Sequence, residues 1–494
     1  MSLKKDYSEL ISEVMMCFGD NFGALASPTL SKQETVTILY KSIEDFLKDS
    51  SKKPAFPWKR LFEFIPRLLL VFIQVSYASF RFRIQEIPSN AVIFRTWLVP
   101  RSFQKDGLAD DYFRQLPVDL ARVENVLISF TSTDLSLLKQ FGSARRSNNQ
   151  IMSYGLLTLF DIIRLFLDYI FTAFIQTKKR YKLDGKDITS FINHSLLLDY
   201  LELRSFEAYT EKYKCKKLIQ YNIKAFIYVF ENQSWEKVCC YIFRNKGIRI
   251  IGYQSSGFSP VFLNFFPSQL DSEIHPMPDI LLTVGNHFRS YLRENGHYRI
   301  NIKTFAAMRF SYPSVNGVYQ IDTPYLQVIG RILYAFPVQF EQYEPTIKDL
   351  ISVFKDSKIQ VDLKFHPLYQ LNDIKNILSL PDNFSIVNEV NIDLLSKTYD
   401  CVLFNDNSFG IEALLKGVKS YQYCKNIAFL DDRYFYFDLW KVNFSLDDVS
   451  QLKEKIENCT YDKTFSPQAV SRYINSMYHP YSQKSFNQFI YLLK

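Results

Sequence analysis

Three polar stretches carry the residue types from which chemistry could be built. Glu231-Asn232-Gln233-Ser234-Trp235 follows the apolar run Ala225–Phe230. A carboxylate at the exit of a buried strand can act as a base or as a nucleophile. His366-Pro367 closes the run Val361–Phe365. Proline cannot donate to a ladder, so the strand stops there and the imidazole is left at its carboxyl edge. Asn405-Asp406-Asn407-Ser408 lies between Cys401–Phe404 and a helical run that Gly410 opens. The free N–H groups and positive dipole end of a helix start suit a phosphate. Gln254-Ser255-Ser256-Gly257 and the loop from Asp106 to Asp111 are two further polar strand exits. Each stretch has a plainer reading: a helix cap, a satisfied histidine, a turn or a solvated acidic loop. Singly the plainer reading is the better one. Together they put four or five polar exits on one sheet edge, where open α/β sheets bind ligands.

The elements that must position these groups alternate along the chain. Apolar runs without alternation, which suit strands buried on both faces, occur at Ala91–Leu98, Val126–Phe130, Ala225–Phe230, Ile248–Tyr253 and Asp279–Val284. A second α/β alternation starts at Leu326–Gly330 and continues through strands near Val361, Phe384 and Cys401. Pro313, Asn316, Gly317, Asp322 and Pro324 mark a linker between the halves. The expected domains are 1–312, 324–466, and a helical end, 467–494, able to pack back on the first half. Residues 151–181 read as one long apolar helix, interrupted by Asp161, Arg164 and Asp168 and closed by Lys178-Lys179-Arg180. It suits a core helix or one lying on a bilayer. The run Leu68–Ile73 is too short and too flanked by arginine for a span and reads the same two ways.

Composition narrows the function classes. The chain has 494 residues, 47% of them hydrophobic, enough for two or three domains with real cores. Glycine is scarce at 15, and neither the dinucleotide-binding fingerprint nor the P-loop pattern occurs. The net charge of +8 is mild and dispersed, which fits a small anionic substrate or a membrane surface better than nucleic acid. Seven cysteines without a Cys-x-x-Cys pair give neither a zinc site nor a disulfide framework. With no apolar leader at Met1–Asp6, the expected location is the cytoplasm.

Four segments, in order, carry a resemblance: Glu231-Asn232 with Trp235-Glu236, Gly252-Tyr253-Gln254, Lys364 with His366-Pro367, and Asn407-Ser408 with Gly410-Ile411-Glu412-Ala413-Leu414 and Gly417. Together they resemble the GT-B glycosyltransferases of bacterial surface polysaccharide assembly. The nearest group there uses CMP-activated acidic sugars, as sialyltransferase-like and Kdo transferase-like enzymes do. The resemblance implies an α/β fold of two Rossmann-like domains facing a cleft, the N-terminal one enlarged by long helices. It implies transfer of an acidic sugar from a CMP donor to a surface polysaccharide or lipid-linked glycan, with no further cofactor and no metal. His366 would contact the donor phosphate and Pro367 would fix its turn. Asn407, Ser408 and Gly410 would hold the phosphate at the helix start, and Glu412 would reach the ribose. Glu231 would be the catalytic carboxylate, with Asp111 as second choice. Asn232, Trp235, Gln254, Ser255 and Ser256 would line the substrate site. Ser255 stands where related sequences often carry histidine, which puts an acid role there in doubt. CDP-glycerol, CDP-ribitol or UDP-sugar transfer on the same fold, and a non-catalytic assembly role, stay open. A lipid-linked acceptor would bring the chain to the inner face of the cytoplasmic membrane.

Overall fold

The computed structural model describes residues 2–33, 39–84, 86–255, 257–258, 262–309, 314–315, 318–319, 329–337, 343–366, 379–387, 390–404, 409–423, 445–446, 454, 456 and 467–494. The chain divides into two compact units. Unit 1 comprises 1–258, 262–309 and 481–494, and unit 2 comprises 259–261 and 310–480.

Unit 1 is built on seven strands: β1 (Val92–Trp97), β2 (Val126–Thr131), β3 (Gln150–Met152), β4 (Ala225–Val229), β5 (Arg249–Gln254), β6 (Ile280–Thr283) and β7 (Asn301–Thr304). Their order across the sheet is β7-β6-β5-β4-β1-β2-β3, and every neighbouring pair is parallel. The register sets Val92 beside both Val126 and Ala225. β2 and β4 are buried at every residue, and β1 at all but Trp97. Helices on both faces remove both surfaces from water, so these strands carry continuous apolar runs. The chain order reverses between β1 and β4, which makes that position the topological switch point of the sheet.

The helices used below are α1 (Trp58–Arg81), α2 (Leu159–Thr172), α3 (Phe206–Ile219) and α4 (Ser234–Phe243). The helix predicted over 151–181 is therefore shorter. Its first residues form the edge strand β3 and a 3-10 turn, Ser153–Leu156. Gly155 explains the break: a Cβ there would lie 2.0 Å from the carbonyl oxygen of Phe82, so the backbone passes too close for any side chain. Thr158 and Asp161 then start α2 with reciprocal caps, Asp161 N–H donating to Thr158 Oγ1 at 3.2 Å and Thr158 N–H to Asp161 Oδ2 at 2.8 Å. The N-terminal segment is tied into unit 1 by Ser12, 2.7 Å from Asp271, and by an ion pair of Lys32 with the same carboxylate.

Unit 2 repeats the scheme with β8 (Arg331–Ala335), β9 (Gln360–Lys364), β10 (Phe384–Val387), β11 (Cys401–Phe404), β12 (Lys419–Tyr423) and β13 (Ser445–Leu446). The order is β10-β9-β8-β11-β12-β13, again wholly parallel. The strand predicted at Leu326–Gly330 is shifted. The described strand starts at Arg331, and Leu326–Val328 lie outside the described residues. α5 (Phe409–Leu415) follows β11, and its end closes on Gly417, which has φ +75°. Val418 N–H bonds Ala413 O at 2.9 Å across that turn, the long bond of a left-handed helix stop. Leu333, Leu395, Val402, Ala413 and Val418 pack together as a core.

Both units are thus doubly wound parallel sheets of the Rossmann-like kind. Their division falls at 309/310, where the stretch read as a linker begins. The predicted helical end is also divided. Helix Pro467–Met477 stays with unit 2, while α6 (Gln483–Leu493) belongs to unit 1. There Phe489 is fully buried, its ring 6.2 Å from that of Phe94 and 5.7 Å from that of Phe305.

Candidate functional site

The carboxyl edge of the unit 1 sheet gathers a charged cluster at the switch point. Glu231 stands two residues beyond the end of β4 and retains partial exposure. Its Oε2 accepts a hydrogen bond from Gln233 Nε2 at 2.5 Å. Burial and the nearby Glu207 push its pKa up to about 6, against the pull of Arg95, Arg309 and Gln233. A carboxylate poised there is mostly ionised at neutral pH yet basic enough to accept a proton from a sugar hydroxyl.

The loop that carries Glu231 is held by Glu236, the third residue of α4. Its Oε1 accepts from Glu231 N–H at 2.9 Å and its Oε2 from Asn232 N–H at 3.0 Å. This is the reach-back of a helix-start glutamate onto orphan donors. Burial raises the Glu236 pKa well above the carboxylate range, and the backbone bonds offset only part of that. Asn232 turns the chain with φ +54°, a conformation asparagine tolerates better than most residues. Its Nδ2 donates to Asn264 O at 2.6 Å, and Asn264 Nδ2 donates back to Glu231 O at 2.5 Å.

Arg95 lies beneath this loop, in the middle of β1 and only 2% exposed. It pairs with Glu207 and, at 3.4 Å, with Glu211, both on α3. Its guanidinium carbon sits 3.7 Å from the centroid of the Trp235 ring and 4.8 Å from that of Trp97. Burial opposes the charge, but the two glutamates outweigh it and raise the pKa further. Among the described residues Nε and Nη1 have no hydrogen-bond partner. Lys214, 3.2 Å from Glu211, completes the compensation. Glu211, Cys215 and Cys239 form a buried trio with the spacing of metal ligands. A cation there would compete with Arg95 and Lys214 for the same carboxylate.

The acidic loop after β1 provides the other wall. Asp110 Oδ1 accepts from Thr96 Oγ1 at 3.1 Å and from the N–H groups of Tyr112 and Phe113 at 2.7 and 3.2 Å. Its Oδ2 is buried with no hydrogen-bond partner among the described residues, and burial pushes its pKa up to about 6. Asp111 is surrounded by Arg114 at 2.9 Å, Arg101 at 3.3 Å and Arg309 at 3.9 Å, with a side chain 1% exposed. Three guanidinium groups converge on this carboxylate, which is thereby engaged in orienting arginines. Arg309 is itself placed by Tyr253, whose hydroxyl donates to Ala306 O and accepts from Met308 N–H, both at 2.9 Å.

Several predicted contacts are thereby reassigned. Trp235 is 1% exposed, and its face is occupied by Arg95, so it packs beneath the loop as a brace. Asn232 is 4% exposed and committed to Asn264. Gln254 is buried and accepts from Val284 N–H at 3.1 Å, tying β5 to the exit of β6. Ser255 is buried as well, and Ser256 lies outside the described residues. Arg95, Glu207 and Arg309 join the candidates only once the chain is folded. Arg95 did carry a signal, a charge amid a wholly apolar strand, which folding must compensate. Arg309 carried none, because Tyr253 positions it from 56 residues away. A groove lined by Arg244, His275, Asp279 and Arg299 opens at the amino ends of β5–β7, the edge opposite Glu231.

In unit 2, His366 follows β9 at the carboxyl edge and is half-buried. Its N–H donates to Tyr343 Oη at 3.2 Å, and that hydroxyl donates to Pro337 O at 2.8 Å beyond β8. α5 begins at the same edge, beyond β11, with β8 as the one strand between it and β9. Lys364 Nζ, at the end of β9, lies 5.4 Å from the ring centroid of Phe409, the first residue of α5. Pro367, Asn407 and Ser408 lie outside the described residues. Gly410 is buried, and a Cβ there would stand 2.2 Å from ring atoms of Phe404. Its lack of a side chain lets α5 close onto β11. Glu412, in the first turn of α5, is half-buried.

No protein-family model matches the sequence, and no curated protein matches it. Solved structures do show a likeness. One is the glycosyltransferase SnogD from Streptomyces nogalater, at 11% identity and a TM-score of 0.43, covering 82% of this chain and 100% of that one. Another is UDP-GlcNAc 2-epimerase from Neisseria meningitidis bound to UDP-GlcNAc, at 10% identity and 0.43, covering 82% and 99%. A third is the glycotransferase of kitacinnamycin, at 9% identity and 0.44, covering 83% and 100%.

Proposed function

We propose that this chain is a GT-B-type glycosyltransferase that moves an acidic sugar, of the Kdo or sialic acid kind, from a CMP donor to a surface polysaccharide or lipid-linked glycan. The observation that carries the proposal is the largely buried, still partly accessible Glu231 at the switch point of unit 1, braced by Glu236 and Arg95, with its pKa pushed up to about 6. A base of that strength at a sheet edge suits deprotonation of an acceptor hydroxyl. Support for the donor comes from unit 2, where His366 and the start of α5 share one carboxyl edge on either side of β8. A single phosphate ester needs an imidazole and a few helix N–H groups, less charge compensation than a diphosphate. The described cysteines are all free thiols, which fits a cytoplasmic enzyme.

Thermal melting with CMP, CDP and UDP tests the donor class, because a ligand of the folded state raises its melting temperature. CMP should stabilise the protein most, and His366→Ala should abolish that response. A response to UDP or CDP alone would move the donor to a UDP-sugar or to CDP-glycerol or CDP-ribitol. Silence toward all three would turn the chain into a non-catalytic assembly protein.

A further inference from the structure

Two helices of unit 1 are apolar on both faces. α1 buries Phe64, Leu68, Val75 and Ala78 on one side. On the other it exposes a stripe at helical spacing that includes Phe62 at 76%, Ile65 at 65%, Leu69 at 57% and Phe80 at 89%. α2 repeats the pattern, burying Ile162, Leu165, Phe166 and Tyr169 while exposing Phe160 at 59% and Phe171 at 77%. The helices lie side by side and antiparallel. Phe72 meets Phe166 with ring centroids 4.9 Å apart, and Ser79 Oγ donates to Leu157 O at 2.5 Å. At the other end, Phe64 and Phe174 both pack on Tyr200, at 4.7 and 5.8 Å. Their outer stripes therefore form one slab about 36 Å long, from 24 residues at the helical rise. Singly exposed apolar side chains need no explanation, but a contiguous slab of this size does.

Its ends are basic. The antiparallel pairing brings Lys52, Lys53 and Lys59 to the end where Lys178, Lys179 and Arg180 follow α2, and all six are exposed. Arg81 and Arg83 are exposed at the opposite end. The acids carried by the two helices themselves are paired: Glu63 with Arg67 at 2.6 Å, Asp161 with Lys217 at 3.0 Å and Asp168 with Lys212 at 2.6 Å. α1 is long and apolar enough to cross a membrane. Its inner face is packed against α2 and the core, however, so only its outer stripe is available to lipid.

We propose that this two-helix slab docks flat on an anionic bilayer surface, with the outer stripes sunk among the acyl chains and the lysines and arginines at the headgroups. Charge decides between lipid and a second copy of the chain. A two-fold interface would lay basic ends on basic ends in either orientation, whereas anionic lipid complements both ends at once. The reading uses neither the sugar donor nor the acceptor, so nucleotide binding can stand or fall without it.

Flotation of the full chain with phosphatidylcholine vesicles, with and without phosphatidylglycerol, tests it. The protein should float with the anionic vesicles, and less as salt is raised. The double variant Phe62→Asp/Phe171→Asp should lose at least about tenfold in partitioning, since each ring withdraws its buried apolar area from the bilayer. Its melting temperature should hold, because both side chains face outward. Lys178→Glu/Lys179→Glu, which leaves the apolar slab intact, should weaken binding to anionic vesicles alone. Failure of the wild type to float, or equal flotation of either variant, overturns the proposal. So does a wild-type dimer in light scattering that the aspartate variant converts to monomer without any vesicle binding.

Discussion

Glu231 and Asp110 both titrate near pH 6, and their surroundings assign them different work. Glu231 keeps partial access to solvent and one side-chain donor, Gln233. Replacing it with glutamine keeps the shape and removes the basicity. Sugar transfer should fall about 10²- to 10⁴-fold. The wild-type rate should rise with pH through about 6 and then level, as the carboxylate becomes the ionised base, and the Glu231→Gln rate should not follow that curve. Asp110 is buried, and among the described residues three donors meet one oxygen and none the other. Its folded pKa of about 6 lies above the ordinary 3.8, so the fold favours its protonated form. That contribution is full below about pH 4 and is lost as pH rises through 6. The loss is on the order of 3 kcal/mol. Asp110→Asn has no proton to lose. Urea titrations at pH 4 and pH 8 should therefore show the variant gaining on the wild type at the higher pH, and a constant difference would refute the assignment.

At the scale of elements, the strand-to-helix turn of unit 2 depends on close approach. Gly410 lets α5 settle on Phe404, and Gly417 ends the helix with a positive φ. Gly410→Ala should cost about 1–3 kcal/mol through overpacking of the aromatic ring. Adding Phe404→Leu should return part of that loss, a coupling that chemical denaturation of single and double variants would reveal. In unit 1 the corresponding element is the β4–α4 turn. There Glu236 holds the backbone from one side, and Arg95 supports Trp235 from below.

At the scale of the molecule, the last helix belongs to the first unit. Phe489 of α6 packs on Phe94 of β1 and on Phe305, Tyr481 Oη donates to Asp119 at 3.0 Å, and Gln488 donates to Thr304 O at 3.2 Å. Phe489→Ala opens a cavity at the end of a chain that must return to reach it. The expected loss is about 3–5 kcal/mol. In calorimetry the loss should fall on the transition of unit 1, and a shift confined to unit 2 would contradict the division of the chain.

The buried strands were legible from sequence because an unbroken apolar run between turn formers has few solutions other than a strand covered on both faces. Val126–Thr131, Ala225–Val229 and Cys401–Phe404 are of this kind. Local composition could also put Glu231 and His366 at strand exits, since the stop signals lie beside them. It could not say which way a side chain faces once distant segments pack. Trp235, Asn232, Gln254 and Ser255 read as polar or aromatic rim residues, yet each is enclosed, three of them by partners traceable to Arg95, Asn264 and Val284. The edge strand Gln150–Met152 was hidden for a related reason: three residues have no period of their own and gain a ladder only from β2. Helical period showed that α1 and α2 were apolar. That each has two apolar faces, with one turned outward, was decided by the core they pack on.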